Sequence, residues 1–174
     1  MAEQQPHPWL RGPVEGVPRE LQPVAHALIQ TREEVDEFTA GFPDALLWET
    51  VAGLAPVGFH LKHIAGVIDR LFGQARLGTV TEEMRSAAEV ERADGQPAGA
   101  TTADLVRGVH EAIDRALDQL RATDPATLYD HRSVGARKLP STVAGLLFHA
   151  AEHAQRHCGQ LLVTVRVLRE RAGD

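Results

Sequence analysis

The chain has 174 residues, 43% of them apolar and 24% charged, which suits one globular domain with a core of its own and does not suit a disordered chain. A net charge of −6 with scattered Lys and Arg argues against a nucleic-acid partner, and no apolar run nears the ~20 residues that cross a bilayer, so no membrane role is expected. A single cysteine, Cys158, excludes an intrachain disulfide and fits a reducing, cytoplasmic setting; no targeting segment is visible in MAEQQPHPWLRGP.

Residues 1–17 hold Pro6, Pro8, Gly12, Pro13 and Gly16 and read as an irregular arm, with Trp9 as its anchor, ahead of a single helical domain over 18–174. Leu21, Val24, Ala25, Leu28, Ile29, Val35 and Phe38 then keep a three-four spacing that predicts a first helix over 18–40, stopped by Gly41 and Pro43. Trp48, in the connection that follows, is expected to pack on the helices. A second helix begins between Gly53 and Val57 and runs to about Ala75, with Leu61, Ile64, Val67, Ile68, Leu71 and Phe72 inward. The acidic, polar stretch to Gly99 is a linker in which 81–93 can form a short helix behind an N-cap threonine. A third long helix starts at Thr101 or Thr102 and ends near Asp124-Pro125. The HRSVGARKLP stretch predicts a short hairpin or extended loop, and a last helix runs from Ser141 or Thr142 to about Arg171. Four amphipathic helices without sustained strand alternation define the fold class: all-α, a four-helix bundle.

Nine histidines stand out in a chain with one tyrosine. His149, His153 and His157 recur every fourth residue on the last helix, so neighbours in the series stand ~6 Å apart along one face, and an adjacent pair can share an ion. The outer pair, ~12 Å apart, cannot. Spacing alone does not choose between His149–His153 and His153–His157. On the second helix His60 and His63 are three apart, and His63 lies within an apolar run that must face inward. One histidine from the second helix and two from the last would supply three neutral nitrogens and leave a position open for water or substrate. Unpaired buried imidazoles are costly, and an ion satisfies them. His7, His26, His110 and His131 read as ordinary surface or core residues. His149-Ala-Ala-Glu152-His153 matches the H-x-x-E-H pattern of inverzincin proteases, but too little chain follows to supply that family's distant glutamate. A di-iron bundle needs Glu-x-x-His motifs, and the chain has none.

Leu61-Lys62-His63-Ile64 and His153-Ala-Gln-Arg-His157-Cys158-Gly159-Gln160 together resemble the DinB superfamily, including its thiol-dependent transferases and the maleylpyruvate isomerase type. The resemblance spans about residues 18 to 171. It implies a DinB/YfiT-like metalloenzyme with an up-down-down-up helix order. It further implies metal ligation by His63, His153 and His157, with zinc or nickel as the divalent ion, a homodimer, and chemistry with a low-molecular-weight thiol on a small-molecule electrophile. A non-catalytic, stress-related metal-binding module is the alternative.

His60, His149 and Gln160 are candidates for lining the site. Gly159 suggests close approach by a neighbouring helix, Glu152 reads as solvated, and Cys158 as a small buried thiol. His110 and Asp114, four apart, read as a surface pair. Arg132, Arg137 and Lys138 precede the last helix, where they can meet an anion.

Overall fold

The structure is a computed structural model describing residues 5–92 and 99–173. Among these, five helices and one two-stranded ribbon form: α1 (Gln22–Thr39), α2 (Val57–Leu77), α3 (Glu82–Arg92), α4 (Thr102–Ala122), β1 (His131–Val134), β2 (Leu139–Thr142) and α5 (Val143–Ala172). The chain is mostly helical, as its spacing predicts. No helix among the described residues is long and apolar enough to cross a membrane.

Local chemistry sets the boundaries. α4 starts in a capping box, with Thr101 accepting from the Asp104 N–H while Asp104 accepts from the Thr101 N–H. α2 stops at Gly78, whose positive φ of 75° closes the helix with a left-handed cap. The HRSVGARKLP stretch forms the hairpin, β1 pairing antiparallel with β2 from His131–Thr142 to Val134–Leu139. Thr142 then caps α5, whose 30 residues span ~45 Å.

The four long helices share one apolar core. Each of α1 and α2 packs on both α4 and α5. Side-chain contacts give the directions. Gln155 reaches Ala27 and Thr31, and Arg169 reaches Ala40, so α5 runs along α1. Arg115 pairs with Asp69, and Gln119 donates to the Phe72 carbonyl, so α4 runs along α2. His60 meets His157 and His63 meets His153, so α2 and α5 run oppositely. This is the up-down-down-up order. Leu28, Leu61, Ile64, Ile113, Leu147 and Leu161 lie at the fully buried centre.

α3 packs mainly on α2, through two sockets. A Cβ on Gly66 would lie 2.2 Å from Glu91 Oε2, and one on Gly73 would lie 2.2 Å from Met84 Cε. Two glycines seven residues apart on α2 thus receive two side chains seven apart on α3, in opposite sense.

Three expectations are corrected here. Trp9 does not anchor the arm, being 62% exposed; Pro8 is buried instead, and Gln22 clamps Val14 and Val17 while Arg11 pairs with Glu33. His110 and Asp114 do not pair with each other but with Asp36 and Arg32, tying α4 to α1. Gly159 is not closely approached: a Cβ there would meet nothing within 4 Å. Trp48 does pack as expected, its ring lying 2.7 Å from where a Cβ on Gly58 would stand.

Candidate metal centre

α2 and α5 bring His63, His153 and His157 together. Each offers a ring nitrogen, and the three nitrogens lie within 4.8 Å of one another, so the group can hold a metal ion. Nitrogens sharing a tetrahedral ion through ~2.0–2.1 Å bonds stand roughly 3.4 Å apart, which small ring movements would reach from here. Ring centroids lie 4.3 Å apart for His63 and His157 and 4.8 Å for His153 and His157. Phe59 stacks on His63 at 5.4 Å and restricts its ring.

The surrounding groups determine which nitrogens carry lone pairs. His63 Nδ1 donates to Glu91 Oε1, leaving Nε2 bare and turned to the cluster. Glu91 is buried and its other oxygen accepts from Arg70 Nη1 at 3.0 Å. Burial works against this carboxylate's charge, but the hydrogen bonds from His63 and Arg70 outweigh it and hold the pKa below its ordinary value. His60 is buried too, and the Ala55 backbone hydrogen-bonds to it. With that proton on its far nitrogen, His60 Nδ1 accepts from His157 Nδ1 at 3.0 Å, and His157 Nε2 is left bare. His153 differs. Arg156 Nη2 lies 2.7 Å from its Nδ1 and can only donate, so in the metal-free molecule the His153 proton sits on Nε2 and bridges to His63 Nε2 at 2.9 Å.

His60, His153 and His157 resist protonation. Burial, and then the neighbouring His63, push His157 down to about 3 and His60 to about 4; burial, and then Arg156, push His153 to about 4. Neutral imidazole is the form that ligates metals. The donor set therefore fits a divalent cation: two nitrogens are presented bare, and the third is covered by one movable proton.

The other candidates fall around this group. His60 backs His157 and does not belong to the three. His149 is exposed and bonds Glu152 Oε1 at 2.6 Å, so the geometry joins His153 to His157 rather than to His149. Glu152 is therefore paired with His149 rather than merely solvated. Gln160 is exposed and lines a cleft of about 440 Å³ with His60, Arg156 and Gly159. A larger cavity, about 540 Å³, lies between α2, α3 and α4 behind Glu91 and contains no histidine. Cys158 is fully buried, with its thiol pushed up to about 12 chiefly by burial, so it is neither ligand nor nucleophile. Arg132 is taken up by the Ala75 and His131 carbonyls, where it ties the ribbon to α2.

Glu91 and Arg156, which contact His63 and His153, are the neighbours of the cluster that sequence reasoning missed. For Glu91 the available signal was Gly66, three residues after His63, where a helix interior gives up a side chain. The model of the DinB superfamily matches residues 27–161, which include all three clustered histidines. No curated protein matches the chain significantly.

Proposed function

The chain belongs to the DinB superfamily, and from that premise we propose that its four long helices are a DinB-type four-helix bundle holding one divalent ion, zinc or nickel, through His63, His153 and His157. We read it as a metal-dependent thiol S-transferase that joins a low-molecular-weight thiol to a small electrophile. The observation that carries the reading is the convergence of three imidazoles on one point, two of them with lone pairs fixed inward by Glu91 and His60.

An ion in this place would supply Lewis acidity and stabilise a thiolate at neutral pH. The protein's own groups support that division of labour. Glu91 is occupied by His63 and Arg70, and Glu152 by His149, so neither is a free base beside the cluster. A nucleophile that needs no protein base, as an ionised thiol does not, suits such a site. His63, His153 and His157 contribute position and neutral donors, and Phe59 limits how far the first ring can turn. By the same family premise the working unit is read as a homodimer.

Elemental analysis of the purified chain, followed by a thiol-consumption assay against electrophiles of graded size, tests the reading. One ion per chain is expected, with both ion and turnover lost in His153→Ala. Turnover that persists after the ion is removed would refute the enzyme; a metal-loaded protein without thiol consumption would favour the non-catalytic module.

A further inference from the structure

We propose that Arg156 and the cleft beside it form a carboxylate-binding subsite next to the histidine cluster, suited to a small aliphatic carboxylate. The proposal rests on the metal reading above through one group, His153. As a ligand through Nε2, His153 carries its proton on Nδ1, the nitrogen that faces Arg156 Nη2. Two N–H donors then point at each other, and a guanidinium has no lone pair with which to accept. Arg156 must turn away. Its guanidinium is exposed, and among the described residues no carboxylate pairs with it; the nearest in sequence, Glu152, is taken by His149.

The cleft that Arg156 already lines has the matching character. It offers about 440 Å³, enough for a small organic molecule, and Arg156 is the only formally charged side chain in its wall. Leu54 and Val163, 45% and 53% exposed, give it an apolar flank, and the Gln160 amide gives a second donor. Gly159 supports the same assignment independently. A glycine inside a helix costs about 1 kcal/mol against alanine, and helix packing does not require this one, since a Cβ would meet nothing within 4 Å. Its missing side chain instead keeps the cleft open. A forked guanidinium above an aliphatic wall recognises a carboxylate attached to a short carbon chain.

Hexanoate and its neutral counterpart hexanamide test this, titrated by NMR into the full chain loaded with zinc, with metal content measured in the same samples. Hexanoate should bind at least about tenfold more tightly than hexanamide. Arg156→Gln should bring the two ligands to parity, and Gly159→Leu should block both, with one zinc per chain retained in each variant. A preference for hexanoate that survives Arg156→Gln would place the carboxylate on the ion itself and overturn the subsite alone. Wild-type protein that holds no zinc would overturn the metal reading and the subsite with it.

Discussion

Replacing Glu91 with glutamine isolates the part that one buried carboxylate plays in metal binding. The carboxylate accepts from His63 Nδ1 on one oxygen and from Arg70 on the other, and Gly66 leaves it room. It fixes the proton of His63 on Nδ1 and so leaves the Nε2 lone pair facing the cluster. Glutamine keeps the shape and an acceptor but removes the charge. Loss of such a partner lowers metal affinity by about 10- to 100-fold, or about 1.4–2.7 kcal/mol. Gly66→Ala offers an independent route to the same effect. Its Cβ would stand 2.2 Å from Oε2 and 3.0 Å from Cδ of Glu91, displacing the carboxylate while every ligand stays in place. Cobalt titrations in competition with a chromophoric chelator would give the affinities, and far-ultraviolet circular dichroism would verify the helices. Wild-type affinity in both variants would refute the reasoning.

Four further outcomes are expected. His149→Ala leaves metal binding unchanged, because His149 pairs with Glu152 outside the cluster; elemental analysis checks it. The metal-free protein loses stability as pH falls from about 6.5 towards 3–4, because His60, His153 and His157 take up protons in the unfolded chain before they do in the folded one; urea midpoints at pH 7 and pH 5 measure the loss, and a higher midpoint at pH 5 would contradict it. Gly58→Ala pushes a methyl group into the Trp48 ring and should cost about 1–3 kcal/mol in equilibrium unfolding. Cys158 should react with an aromatic disulfide reagent only as the protein opens, so native labelling at pH 8 should be far slower than labelling in urea.

What could be read from the sequence depended on whether one helix or two carried the signal. The four-residue spacing of His149, His153 and His157 lies within α5, and the apolar setting of His63 lies within α2, so each was visible on its own stretch. The choice of His153 and His157 over His149 needed the register between α2 and α5, which only the family resemblance supplied beforehand. Glu91 was hidden for a related reason. Among Glu82, Glu83 and Glu89 it looks like one more solvated acid, and its burial comes from a glycine on a different helix. Gly159 misled because an internal glycine signals missing volume without saying whether a helix or a cleft uses the space. The polarity of the contact between Arg156 and His153 emerges only once both side chains are placed.

Glu91 reaches the cluster from α3, an element held chiefly by α2. Linkage between binding sites is mutual: whatever grip on the cation this carboxylate confers, the cation returns as added grip on α3. Chelation should therefore speed amide deuteration across Glu82–Arg92 more than across the buried middle of α5. The segment would become a reporter of occupancy, and a protease or binding partner that pulls it loose would also weaken the hold on the ion.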